Sequence, residues 1–195
     1  MGGLYPQIEQ ACGAPTLYST GVADDQDEAW FRIGPEMDTI TVDCRVNGRP
    51  TRRAVPSHRT LLDFLRDDLG LMGAKRACDV QVCGACTVLV DGLPVSACTY
   101  LALEVRGKSV ETCEGLPEEG RLHPIQQAFV EAGALQCGFC TPGLVMTTKA
   151  LLSEIPRPSD EQIKEYLHGN ICRCTGYKKI IQAVQAAALV RGAAG

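Results

Sequence analysis

The sequence predicts a protein of two small folded parts, an α+β domain in which short strands enclose one helix, followed by an all-α domain of four helices. Three observations carry this. Period-two alternation recurs between residues 39 and 113, broken by one leucine-rich helical stretch. Beyond Pro117 the apolar period becomes helical. Eleven cysteines are present, and eight of them fall into two sets of four, one in each half. The expected divisions are an N-terminal arm over 1–37, the α+β domain over 38–115 and the helical domain over 116–195.

The arm carries several prolines and the acidic run Asp24-Asp25-Gln26-Asp27-Glu28 without a sustained period. Two readings are open for it: a solvated tail, or a segment that packs on a partner through Trp30-Phe31 and Ile33. From Thr39 onward Ile40, Val42, Cys44 and Val46 share one strand face. Asn47-Gly48 then supplies a hairpin turn, because both residues accept positive φ, and a second strand runs toward Val55. Cys44, in the buried register, reads as a small core hydrophobe. Thr60 caps a helix whose Leu61, Leu62, Leu65 and Leu69 form one stripe and which Gly70 ends. After a loop from Cys78 to Cys86, residues 87–90 and 93–95 form a hairpin about Asp91-Gly92, which returns Cys98 toward Cys86. A last strand is expected over 109–113, with Cys113 as a core residue.

In the second half, Pro124 starts a helix bearing Ile125, Ala128, Phe129 and Ala132, and Gly133 closes it. Thr141-Pro142 starts another; Ser159-Asp160-Glu161-Gln162 is a capping box for a third, which stops at Gly169; a fourth runs from about Gly176 with Ile180, Ala183, Val184 and Ala187. Helix, cysteine pair, helix is thus written twice, and a pseudo-symmetric domain would bring the two pairs face to face.

Composition narrows the function. The formal net charge is -4 with 22% charged residues, an acidic balance that argues against nucleic acid or an anionic membrane as partner. No apolar run has the length of a membrane span, and residues 1–30 lack the order of a secretory signal, so a cytoplasmic location is expected. Cysteines in a reducing compartment point to metal ligation rather than to a disulfide framework. His58, His123 and His168 fall at no ligand or catalytic spacing and read as surface or capping residues.

The first set, Cys78-x4-Cys83-x2-Cys86 with Cys98 farther on, has the plant-type ferredoxin spacing for a [2Fe-2S] centre. Three ligands so close in sequence must come from a loop, and Gly84 lets backbone N–H groups approach the sulfurs. A structural zinc site would more often use two separated Cys-x-x-Cys knuckles. The second set, Cys137-x2-Cys140 with Cys172-x-Cys174, is less specific, because two short pairs also suit zinc or a redox disulfide. Its context favours a cluster: Cys140 and Cys174 each precede an expected helix start, where free N–H groups stabilise an anionic ligand set.

Cys83-Gly84-Ala85-Cys86-Thr87-Val88, Gln136-Cys137-Gly138-Phe139-Cys140-Thr141-Pro142-Gly143 and Ile171-Cys172-Arg173-Cys174-Thr175-Gly176-Tyr177 resemble the signatures of one family. It is the iron–sulfur subunit of the molybdenum hydroxylases, the group of xanthine oxidase, aldehyde oxidoreductase and aerobic CO dehydrogenase. The resemblance runs from Asp38 to about Ala188. It implies a plant-type ferredoxin-like (β-grasp) domain, then an all-α four-helix [2Fe-2S] domain, with each set of four cysteines ligating one cluster.

The resemblance further implies a molybdopterin-containing large subunit, an FAD-containing medium subunit and a dimer of heterotrimers, this chain carrying electrons from pterin to flavin. The second cluster would lie beside the pterin, with Gln136 as a pterin neighbour; a Gln136 that only caps backbone groups is the other reading. No substrate-converting residue is expected on this chain. Two other functions compete: a diffusible two-cluster carrier and a zinc-stabilised interaction module. A subunit of a related aromatic-thioester reductase is a variant of the leading reading. The family loop commonly has glycine before the first ligand and a small residue two before the second, where this chain has Ala77 and Gln81. Positive φ at either would be costly, so the loop is expected to follow its own path.

Overall fold

The computed structural model describes residues 38–117 and 119–192, side chains to 190; the arm over 1–37 lies outside the described residues. Strands β1 (Thr39–Val46) and β2 (Arg49–Pro56) form the expected hairpin, with Asn47 at φ 50° and Gly48 at φ 75° in its turn. Thr60 caps α1, its side chain accepting from the Asp63 N–H. Helix α1 (Leu61–Asp63) is α-helical for only one turn and continues as a π-helical stretch, Phe64–Asp68. The leucine stripe is buried all the same, since Leu61, Leu62, Phe64 and Leu65 are fully covered.

Strands β3 (Thr87–Val90), β4 (Leu93–Ser96) and β5 (Ser109–Glu111) complete one mixed sheet of order β2-β1-β5-β3-β4, in which β1 and β5 are parallel and the other neighbours antiparallel. One face, built of Val42, Cys44, Val46, Val88, Val90 and Val110, packs on α1. The opposite face of β3 is covered as well: Leu89 belongs to the core of the helical half. Burial on both faces is why residues 87–90 read as a continuous run rather than an alternation.

Helices α2 (Pro124–Glu131), α3 (Thr141–Glu154), α4 (Asp160–Tyr166) and α5 (Lys178–Gly192) form the second half around Ile125, Phe129, Leu144, Leu151, Ile163, Ile180 and Val184. His123 is the N-cap of α2, its ring nitrogen accepting from the Ile125 N–H at 3.2 Å, and Ser159 with Gln162 makes the expected capping box of α4. Lys149 on α3 pairs with Glu111 on β5, and Gln126 on α2 donates to the Cys113 carbonyl at 2.9 Å. These ties add to the Leu89 contact across the two cores.

Three local expectations are corrected. The last helix begins at Lys178, not near Gly176, because Gly176 and Tyr177 both take positive φ and break the helical path. The strand over 109–113 ends at Glu111, and Cys113 instead opens a 3₁₀ turn, Cys113–Gly115. Cys113 is only half-buried and packs on the helical core, its thiol against the Glu114 carboxylate at 3.4 Å.

Asn47 does more than turn the hairpin. Its carboxamide donates to the Thr112 hydroxyl at 3.0 Å and accepts from the Thr112 N–H at 2.8 Å, fixing the exit of β5. Thr112 is 1% exposed, so its N–H has no water to turn to. Asn47→Ala is expected to destabilise the folded chain by about 2 kcal/mol, through an orphaned buried donor and a positive φ that alanine tolerates poorly. Urea unfolding of the full chain, read as a lower midpoint at unchanged slope, checks this.

Candidate iron–sulfur sites

The loop carrying Cys78, Cys83 and Cys86 lies between the π-helical stretch and β3, and the β3–β4 hairpin brings Cys98 back to it. The Ala97 N–H donates to the Cys86 carbonyl at 3.4 Å, and the Cys86 and Cys98 thiols interact directly. Burial pushes the Cys86 thiol up to about 12. Cys78 is the opposite case: the backbone N–H groups of Val80, Val82 and Cys83 hold its thiol down at about 6, the Val82 N–H lying 3.4 Å from Sγ. Cys78 and Cys83 also interact side chain to side chain. The first set thus gathers as two pairs, Cys78 with Cys83 near the surface and Cys86 with Cys98 in the core.

The second set gathers in the same way. Cys174 and Cys137 lie with sulfurs 3.6 Å apart at the surface, and Cys140 meets Cys172 deeper in. Burial raises the Cys140 thiol to about 12 even though Cys140 is the N-cap of α3. At Cys172 burial opposes ionisation, yet the Thr175 hydroxyl at 3.1 Å and nearby N–H groups hold the thiol below its ordinary value. Cys174 has no helix start directly after it, so the helix-dipole argument holds for Cys140 alone.

Among the described residues no point is ringed by three or more His, Cys, Asp or Glu donors at single-ion range. The two-and-two pairing has a direct chemical reading. Two thiolates about 2.3 Å from one tetrahedral metal lie about 3.7 Å apart, and the Cys137–Cys174 separation is 3.6 Å. A centre with two metals takes two such pairs and completes each metal with bridging sulfide. The residues present therefore fit a [2Fe-2S] group at each set. Beside Cys140 the Thr141 hydroxyl is buried without a partner among the described residues, an orphan that an anionic sulfur acceptor would satisfy.

Gln136 is exposed, directly before Cys137. Cys44 is buried in the core of the sheet with its thiol pushed up to about 11 by burial. Cys12 lies outside the described residues. Two residues without an assigned role in the sequence take part here. The Tyr177 hydroxyl donates to the Asn170 carbonyl and accepts from the Cys172 N–H, and the Asn170 carboxamide donates to the Gly84 carbonyl in the first cysteine loop; a buried polar contact between distant loops leaves no periodic trace in a sequence.

Two family models match the chain: a 2Fe-2S iron-sulfur cluster binding domain over residues 44–118, and a [2Fe-2S] binding domain over residues 112–185. The small FeS subunit of nicotinate dehydrogenase from Eubacterium barkeri is 46% identical over 76% of this chain and 95% of its own length. The chain belongs to the iron–sulfur subunits of the molybdenum hydroxylases. The iron–sulfur-binding subunit of xanthine dehydrogenase from Escherichia coli O157:H7 is 47% identical over 75% of this chain and 93% of that one. Among solved structures, quinoline 2-oxidoreductase from Pseudomonas putida 86 superposes with TM-score 0.77 at 41% identity, covering 80% of this chain and 97% of that one. As a member of this family the chain is the electron-transfer component of a multi-subunit oxidoreductase and carries two [2Fe-2S] domains.

The two positions at which the sequence departs from the family pattern differ in backbone conformation. Gln81 takes φ 60° and Asp79 φ 54°, whereas Ala77 keeps an ordinary negative φ. Both left-handed residues are held by side-chain bonds: Gln81 accepts from the Thr99 hydroxyl at 3.0 Å, and Asp79 from Arg76 at 2.8 Å. Gln81→Gly is expected to raise stability by about 0.5–1 kcal/mol, since glycine takes this φ without strain and water replaces the exposed Thr99 bond. Gln81→Val should lower it by more than about 1 kcal/mol, a β-branched side chain being the worst fit there. Thermal midpoints of the two loaded variants, moving in opposite directions, are the measurement.

Proposed function

We propose that this chain relays electrons from a molybdenum–pterin site on a large subunit to FAD on a medium subunit, within a cytoplasmic dimer of heterotrimers. In this reading Cys78, Cys83, Cys86 and Cys98 ligate one cluster in a β-grasp domain over 38–115. Cys137, Cys140, Cys172 and Cys174 ligate the other in a four-helix domain over 116–195, beside the pterin and with Gln136 as its neighbour. A [2Fe-2S] group, when bound, supplies one-electron redox chemistry without proton uptake by the chain.

One observation carries the reading. Each set has one pair near the surface under an apolar rim and one pair deeper in. Exposed apolar side chains rim both cysteine loops: Val80 and Val82, 64% and 59% exposed, lie between Cys78 and Cys83 in the chain, and Phe139 and Ile171, 45% and 50% exposed, directly precede Cys140 and Cys172. Exposed apolar residues around a functional group mark partner contacts. Two rims and two pairs turned inward suit a relay between two fixed partners better than a diffusible carrier with one docking face. The chain's own contribution is to exclude water from the buried sulfurs and to aim N–H groups at Cys78 and Cys172, which favours the more negative, reduced state.

The full chain, purified without oxygen, is expected to hold four irons and to show two distinguishable electron paramagnetic resonance signals on reduction; one signal, or stoichiometric zinc, would overturn the assignment. Order along the relay is tested in the assembled enzyme. Cys86→Ser should leave substrate able to bleach one iron–sulfur signal while flavin reduction stalls, whereas Cys140→Ser should disturb delivery from the molybdenum site itself. Normal flavin reduction in Cys86→Ser, followed by rapid mixing, would take the first centre off the path.

A further inference from the structure

The two cysteine loops touch each other directly. The Ile171 N–H donates to the Cys83 carbonyl at 2.9 Å, so a single hydrogen bond joins the backbone of Cys83 to the residue before Cys172. One residue earlier, the Asn170 carboxamide donates to the Gly84 carbonyl at 3.1 Å. Asn170 is 4% exposed, and its own carbonyl accepts from the Tyr177 hydroxyl at 3.0 Å; that hydroxyl accepts from the Cys172 N–H at 2.8 Å.

The contact is built to be close. A Cβ on Gly84 would collide with the Gly169 carbonyl and the Asn170 carboxamide, and one on Gly143 would collide with the Gly84 carbonyl. Tyr177 is held at φ 64°, a strained conformation that persists only where its surroundings over-determine it. A polar seam needs only to satisfy the Gly84 carbonyl. Here the donor sits between a backbone bond to Cys83 and the loop of Cys172, and is tied to both.

We propose that Asn170 is a positioning residue for electron transfer between the two centres. By holding the Gly84 carbonyl it fixes the Cys83–Ile171 hydrogen bond, the one non-covalent step in a bonded route from Cys83 to Cys172. The proposal rests on the ligand assignment made above. In the step, one electron leaves the centre held by Cys137, Cys140, Cys172 and Cys174, which is oxidised, and enters the centre held by Cys78, Cys83, Cys86 and Cys98, which is reduced. No bond breaks and no proton moves.

The test uses the full chain loaded with iron and sulfide, reduced by less than one electron per chain with a light flash. Redistribution between the centres is followed by absorbance and by freeze-quenched paramagnetic resonance. Asn170→Ala should keep four irons and both midpoint potentials, yet slow redistribution by about tenfold or more. Gly143→Ala, which keeps every donor but displaces the Gly84 carbonyl, should slow it likewise, and it decides the matter if Asn170→Ala loses iron. Wild-type rates in the iron-loaded variants, or a slowing matched by a shift in potential, would overturn the positioning role. A wild-type chain with fewer than four irons, or with no redistribution at all, would instead overturn the ligand assignment.

Discussion

Among the described strands β3 is the one buried at every position, and the placement of both cysteine sets depends on it. Val88 and Val90 close the core over α1, while Leu89 reaches into the core of the helical half. A fully buried leucine contributes about 1.5–3 kcal/mol relative to an exposed one. Thr87 begins the strand directly after Cys86, so the same contact that joins the cores also anchors the end of the first cysteine loop. With β3 held from both sides, the loop can lie against the second one closely enough for backbone to meet backbone.

Much of this was legible in the sequence, for reasons specific to each element. The hairpin turns at Asn47-Gly48 and Asp91-Gly92 are written in residues that accept positive φ, and both occur where expected. Thr60 and Ser159 announce helix starts because a short polar side chain before an apolar run has few other uses. Spacing alone groups the thiols of the first set, whereas the second set, Cys137 with Cys140 and Cys172 with Cys174, needs its context as well. What the sequence concealed is non-local. Gly176-Tyr177 looks like a helix start, yet Tyr177 is turned out of the helical region by hydrogen bonds to Asn170 and Cys172, partners that no local pattern identifies. Gly84 carried a second meaning as well: besides freeing the loop backbone, its missing side chain makes room for Gly169 and Asn170.

The thiols themselves are not uniformly prepared for metal. Cys78 ionises readily because three N–H groups point at it, whereas burial keeps Cys86 and Cys140 protonated at neutral pH. Ligation must remove those protons, so it is linked to pH and to the water-excluding fold around the inner sulfurs. The members of each set therefore differ in chemistry before any iron is bound. In each set the member with a depressed thiol pKa has N–H groups aimed at it.

The Asn47–Thr112 contact spans 65 residues of chain, and every cysteine of the first set lies inside that span. Closing so long a loop is slow, because its entropy must be given up before the β1–β5 pairing returns anything. Cross-linking the twenty-residue stretch from Cys78 to Cys98 shortens the effective loop from 65 to about 45 residues, which eases closure by only about 0.3 kcal/mol. Iron bound there does little to help the sheet find its topology. Its stabilisation would come from the metal–thiolate bonds themselves.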